Sequence, residues 1–304
     1  MKKRNFITQK VLMLIGTLAF FASFTYADDK KLLLEKSYQM KDWENLYVSA
    51  SGADIKVDSW DKQEVYVKIF GNHRAEEKLK YEIYQDGPVV KVIIKRKGSF
   101  FNWSWGNRSV YVEAKVPKKF NTNLETSGGD IEVKNITGGF KFDTSGGDIS
   151  ALNLNGKLHA ETSGGDIKLD THYGYMDVST SGGDIDCKNV SGDLKAETSG
   201  GDINVELKDG KINCETSGGG IRILYTGVNK GIDASTSGGT IRAKLPSDFN
   251  ANVHLETSGG EIENNFTNTR ASKVKRSELI AEYNSGGPTL HLETSGGDII
   301  VDQK

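Results

Sequence analysis

The chain has 304 residues, 35 of them glycine, with 36% hydrophobic residues and a formal net charge of −2. That balance describes a turn-rich, soluble protein and gives no electrostatic preference for nucleic acid. Few stretches carry helical periodicity, so the chain reads mainly as strands and turns.

Residues 1–27 read as an export signal. Lys2, Lys3 and Arg4 supply the positive lead, Val11 to Phe24 the apolar core, and Thr25-Tyr26-Ala27 a cleavage site. The apolar run is short for a membrane span, no later stretch resembles one, and no cysteine directly follows the cleavage site to carry a lipid anchor. The mature chain is expected in the periplasm or at the cell surface.

Residues 28–119 form an irregular β-rich segment, continuous with the repeats after it. Val65 to Ile69, Val89 to Ile94 and Val110 to Ala114 read as strands, and Ala75 to Lys80 as a single helical turn. Tyr47 to Val57 looks like a degenerate first copy of the later repeat. A stack of coils needs a cap at its open edge, and this segment is suited to that place. Between two strands, Phe100, Phe101, Trp103 and Trp105 crowd one turn-rich loop. Either they form a contact surface for glycan, lipid headgroup or protein, or they fold back over the cap.

From residue 120 to 304 one motif repeats. Thr-Ser-Gly-Gly begins at Thr126, Thr144, Thr162, Thr180, Thr198, Thr216, Thr236, Thr257 and Thr294. The first six starts are 18 residues apart, and later intervals are 20, 21 and 37. Counting each Thr as position 1, apolar residues fill positions 6, 8, 11, 15 and 17, as in Ile131, Val133, Ile136, Phe140 and Phe142. Period-two alternation on both sides of a Gly-Gly turn means two short strands per unit. A second glycine turn falls near position 13. One such unit cannot bury its apolar edge, but stacked copies can. The expected fold is an all-β solenoid, with coils roughly 4.8 Å apart and a rod on the order of 45 Å long. A propeller blade needs roughly 40 residues, so 18 is too few. The Thr column reads as an inward hydroxyl ladder, not as nine catalytic centres. Pro117-x-x-Phe120-Asn121 ahead of the array is echoed at Pro246-x-x-Phe249-Asn250, which points to duplication of a larger module. The long interval holds an insertion at about 264–283, expected as a projecting loop or short helix. Its Arg270, Lys273, Lys275 and Arg276 are either a contact for anionic polymer or a solvated loop.

Position 5 is Asp at Asp130, Asp148, Asp166, Asp184, Asp202 and Asp298. Stacked like charges repel, so something offsets them. The carboxylates cap their own turns, or lysines such as Lys134, Lys141, Lys168, Lys188 and Lys195 interleave, or calcium bridges the column. Calcium-binding nonapeptide repeats have another spacing. Repetition over six coils argues for architecture, not for paired acids of hydrolysis. The five histidines show no metal-ligand spacing. Cys187 and Cys214 both face inward on facing strands, as free buried thiols or as a cross-core disulfide.

The exported lead, the irregular first segment, the Val-Pro-x-x-Phe corner and the repeated Thr-Ser-Gly-Gly-Asp-Ile resemble the bacterial "putative adhesin" family over about Leu46 to Val301. The closing Gly286-Gly-Pro-Thr-Leu-His-Leu-Glu-Thr-Ser-Gly-Gly-Asp-Ile does so too. The resemblance implies a single-stranded, right-handed β-helix and an adhesive role. It brings no catalytic residues and no cofactor. The expectation is a non-enzymatic envelope or surface protein binding a glycan, surface or envelope partner. The alternatives are an envelope scaffold or stress-response component acting through one protein, and a polysaccharide-processing enzyme.

Overall fold

The computed structural model describes residues 30–97 and 110–304. Its strands stack in parallel with register partners 18 residues apart, as in Thr144 against both Thr126 and Thr162. Each coil contributes one strand before the Gly-Gly turn, such as Asn121–Thr126, and one after it, such as Ile131–Lys134. Inward positions are buried as the alternation requires: Ile131, Val133, Ile136, Phe140 and Phe142 are all 4% exposed or less. Inward residues of both ladders join one apolar core. The degenerate first copy is a true coil. Asn45–Ala50 pairs in parallel with Asn121–Thr126, and Asp54–Trp60 with Ile131–Lys134.

Two kinds of contact hold coil to coil. Thr144 Oγ1 donates to Gly129 O in the preceding coil (2.9 Å) and accepts from Gly147 N in its own turn (3.3 Å). Thr162, Thr180, Thr198 and Thr216 repeat that clamp. The second glycine of the turn sits against backbone. A Cβ on Gly165 would lie 2.1 Å from Gly147 O, whereas one on Gly164 would meet nothing nearer than 3.9 Å. At position 13 the same closeness recurs, with a Cβ on Gly156 falling 1.9 Å from Gly138 O. A third feature is not evident from sequence. Position 10 is left-handed at Asn135 (φ 60°), Asn153 (54°), Thr171 (58°) and Asn189 (53°). Asn tolerates that region, and Asn153 Nδ2 also donates to Asn135 Oδ1 (2.9 Å).

Both ends are interleaved. The strands Val89–Arg96 and Val110–Pro117 lie on the outer side of the 45–60 coil, whose inner side faces Asn121–Thr126 and Ile131–Lys134. The chain therefore skips a coil in passing from Val110–Pro117 to Asn121–Thr126. The other end mirrors this. Ile232–Thr236 and Ile241–Leu245 pair with Thr289–Thr294 and Ile299–Gln303, and only beyond those lie Ala251–Thr257 and Ile262–Asn264. Each skip is made by the Pro-x-x-Phe-Asn corner, with Phe120 and Phe249 buried beneath it. The echo thus marks two places with one geometric task.

Antiparallel strands close the ends. Leu79–Asp86 covers Val89–Arg96, and Glu64–Gly71 covers Val110–Pro117 and carries Lys31–Gln39 in turn. The helix is His73–Lys78, earlier than the sequence suggests, because the Asn72 side chain caps it by accepting from Ala75 N (3.0 Å). The insertion is neither a projecting loop nor a helix. It is a hairpin, Thr269–Lys275 with Glu278–Tyr283, laid antiparallel on Ala251–Thr257. Alternating Leu279, Ala281 and Tyr283 bury one face, and Tyr283 stacks on Phe266 at 4.2 Å.

One inward corner is polar. His172 holds the place of Ile136, Leu154 and Val190 in other coils; its Nε2 lies 3.0 Å from Gly156 O, and Nδ1 is buried without a partner. Burial pushes this imidazole below its ordinary value of 6.5. The unfolded chain then binds the proton first as pH falls, so stability is full above that value and is lost below it.

This packing sets two expectations. Gly165→Ala should cost about 3 kcal/mol or more and Gly164→Ala less than about 1 kcal/mol in urea unfolding; equal costs would show that the close approach is not limiting. His172→Leu should be at least as stable as the parent at neutral pH and should pull ahead as pH falls from 7 to 5. Parallel losses in the two proteins would refute the assignment.

Candidate functional site

The Asp column is consumed by the fold, between coils instead of within one turn. Asp130 Oδ1 accepts from Asp148 N (2.9 Å), Asp148 from Asp166 N (2.8 Å), Asp166 from Asp184 N (3.0 Å) and Asp184 from Asp202 N (2.8 Å). Asp202 ends the run on Gly220 N (2.7 Å), and Asp298 serves Glu261 N (2.9 Å). The Asp184 N–H, and after it the Lys168 ammonium, hold the Asp166 carboxyl below the usual range. Of the interleaving lysines, Lys168 reaches a column carboxylate at 3.2 Å, while Lys134, Lys141 and Lys195 pair with Glu132, Asp143 and Glu197.

Phe100, Phe101, Trp103 and Trp105 lie outside the described residues. The basic groups of the hairpin each meet a carboxylate. Arg270 reaches Glu282 at 2.7 Å, Lys273 and Lys275 share Glu278 at 2.5 and 3.8 Å, and Arg276 pairs with Glu261. Their charge is thereby offset, which weakens the case for an anionic polymer there. Cys187 and Cys214 are free thiols, both buried. Desolvation pushes the Cys187 thiol up to about 12 and moves Cys214 in the same direction, so both are protonated and poorly nucleophilic at neutral pH.

Sequence reasoning missed a different place, on the outer face of the strands that precede the Gly-Gly turn. Position 16 runs Asn123, Lys141, His159, Asp177, Lys195 along the stack. Beside it, position 18 runs Glu125, Asp143, Glu161, Ser179, Glu197. Cations in the first column answer the acids in the second: Lys141 Nζ is 2.8 Å from Asp143 Oδ2, and Lys195 Nζ 2.7 Å from Glu197 Oε1. His159 breaks the lysine pattern. Its Nδ1 lies 3.4 Å from Asp177 Oδ2 and its Nε2 3.9 Å from Glu161 Oε2. Asp143, His159 and Glu161 offer ligand atoms within 4.8 Å of one another, the one such grouping of three among the described residues. They are the residues that could hold a cation, and equally a general acid and base pair.

Two shallow clefts meet at Lys141. One, of about 290 Å³, is lined by Asn45, Asn121, Asn123, Phe140, Lys157 and His159 as well. The other, of about 570 Å³, runs over Ser49, Glu125, Asp143, Ser145, Glu161 and Ser163. Asn123 Oδ1, on the outer face at the first cleft, has no protein partner, whereas the equally unpaired Thr122 Oγ1 belongs to the inward row with Leu46 and Phe140. Buried polar atoms are nearly always paired, so the Asn123 amide on the outer face is a group that a small side-chain rotation could offer to a ligand's hydroxyl or amide. The cue available in the sequence was His159 at position 16 beside acidic position 18.

The ladder reading makes a prediction about the Asp column. Asp148→Asn keeps the Oδ1 acceptor and should leave the unfolding midpoint nearly unchanged. Asp148→Ala should lower stability by about 1 kcal/mol. Neither calcium nor a chelator should shift the midpoint; a rise specific to calcium would return the column to an ion site.

No curated protein matches the chain. Among solved structures it is similar to "a putative cell adhesion protein from Clostridium sporogenes ATCC 15579", at 13% identity, over 90% of this chain and 100% of that one, with a TM-score of 0.27. It is similar also to "a putative adhesin (BF0245) from Bacteroides fragilis NCTC 9343", at 13% identity, 90% and 97% coverage and a TM-score of 0.31. A third is a "Putative lipid binding protein from Parabacteroides distasonis ATCC 8503", at 14% identity, 91% and 98% coverage and a TM-score of 0.30. The family model described as Toastrack DUF4097 matches residues 43–225 and again 207–302, most of the sequence, and the chain belongs to that family.

Proposed function

We propose that this protein is an exported, non-enzymatic binding module whose ligand is a polar polymer, such as a glycan of a surface or envelope. The ligand lies across the outer face spanning residues 45–50, 121–127, 139–145 and 157–163. The observation that carries this reading is the Asn123 amide on that face, whose Oδ1 has no protein partner, beside Lys141 where both clefts meet. A carbohydrate supplies alternating donors and acceptors at a spacing that side chains of a rigid ladder can meet without reorganising. Periodic rungs suit a periodic ligand. Among the described residues no helix is long and apolar enough to cross a membrane. Placement in the periplasm or at the cell surface rests on the lead at 1–27.

A second reading has its own observation. Asp143, His159 and Glu161 are close enough to act as acid and base on a bound polysaccharide. Against it stands their exposure: the side chains of His159 and Glu161 are 36% and 61% exposed, so water screens them and nothing excludes it from a reacting bond. The scaffold reading, with one protein partner, uses the same face.

The test is a binding assay of residues 28–304 against envelope and matrix fractions and purified polysaccharides. Asn123→Ala with Lys141→Ala should weaken binding at least tenfold while leaving the unfolding midpoint within about 2 °C. Loss of binding in Trp103→Ala with Trp105→Ala instead would move the site to that loop. Recovery of a single protein would favour the scaffold, and shortened polysaccharide, abolished by His159→Ala, would favour the enzyme.

A further inference from the structure

The C-terminal coil is a separable insert. The corner at 246–250 carries the chain from Ile241–Leu245 to Ala251–Thr257 two rungs away, leaving a slot one coil wide. That slot is filled by Thr289–Thr294 and Ile299–Gln303, which come last in the sequence. The insert is paired on both edges and clamped on both. Thr294 Oγ1 donates to Gly239 O on one side (2.8 Å), and Thr257 Oγ1 to Gly297 O on the other (2.7 Å). Leu290, Leu292, Ile299 and Val301 are fully buried within it. The walls of the slot come from residues 232–264 and its filling from 289–303.

The hairpin laid on the slot wall leads to the insert, and residues 284–288 make the last step between them. This connection leaves Glu278–Tyr283, on the outer side of Ala251–Thr257, and must cross that strand to enter the slot. It does so in five residues with Asn284 at φ 54°, Gly286 at 72° and Gly287 at 155°. Asn229 Nδ2 ties its end down, donating to Asn250 O (2.8 Å) and Pro288 O (2.9 Å). Short hinges of this kind invite exchange of the element they carry, since an insert from another copy makes the same contacts without the forced crossing.

We infer that the slot accepts the C-terminal coil of a second copy of this chain, giving a dimer with reciprocally exchanged coils. Within one chain the short connection keeps the local concentration of the insert high, so the closed monomer prevails in dilute solution. Crowding of many copies in one place favours the exchanged form. No new surface is needed, because every contact of the dimer's junction already exists in the monomer.

Glu256 and Glu293 are exposed register partners on adjacent strands, one in the slot wall and one in the insert. The test refolds Glu256→Cys and Glu293→Cys chains together and then oxidises them. The two native thiols are buried and do not compete. A covalent heterodimer is expected, in a yield that rises with protein concentration. Glu215→Cys in place of Glu256→Cys lies two rungs from Glu293 and should give none. Four residues added after Ser285 should lower the heterodimer yield several-fold by relieving the crossing. Monomers alone at every concentration would overturn the inference, as would equal crosslinking through Glu215→Cys or a yield unmoved by the longer connection.

Discussion

Everything in this molecule depends on how closely one Gly-Gly turn can sit on the next. The second glycine's Cα faces the carbonyl of its counterpart one coil below, with a would-be Cβ at 2.0 to 2.1 Å from that oxygen in the regular coils. No side chain fits there. The absence of one brings the Thr hydroxyl within reach of that same carbonyl while it also takes the N–H of its own turn. A turn of this kind would otherwise bury unpaired backbone groups at a heavy cost. The Asp at position 5 completes the set from outside by taking the next N–H along. Thr, Gly and Asp therefore recur together because each satisfies a backbone group that the others expose.

A stack with such uniform contacts has no natural end, and open parallel edges recruit other strands. The molecule meets this at both ends with one device. The chain skips a rung, doubles back in antiparallel strands over the outer coil, and fills the skipped rung from the chain terminus side. At one end the 45–60 coil occupies the inner place, and at the other the 289–303 coil does. The outermost coils are thereby covered by strands of opposite direction, Leu79–Asp86 at one end and Glu278–Tyr283 at the other. Interleaving also ties the ends to the body through contacts distant in sequence, so fraying cannot simply start at a terminus.

Much of this architecture is legible in the sequence because repetition amplifies weak signals. One Thr-Ser-Gly-Gly says little, whereas nine copies with apolar residues at constant offsets define strands, turns and the inward face. Asparagine also recurs at position 10, at Asn135, Asn153 and Asn189 with Thr171 among them, but Asn is common in loops, and the left-handed conformation becomes visible only in the backbone. Stacking order is hidden for a different reason. Periodicity says that coils stack and cannot say that sequence neighbours are spatial neighbours. The Pro-x-x-Phe-Asn echo holds that information, yet a corner that skips a rung and one that repeats a module look alike as letters. The hairpin escapes the pattern because Val274, Leu279, Ala281 and Tyr283 do not align with the 18-residue frame. The Asp column declares itself structural by its repetition, but its acceptor role reaches across coils and not within one.

The same logic separates function from framework in a repeat protein. A residue present in every coil answers a demand present in every coil, and that demand is structural. Binding specificity has to come from what differs between coils. On the outer face the differences gather where Asn123, Lys141, His159 and Asp177 succeed one another in a column, beside Glu125, Asp143 and Glu161. There Asn123 Oδ1 also lacks a protein partner. An unpaired buried group costs stability in the free protein. This stretch of the face carries differences between coils that the more conspicuous Asp ladder lacks.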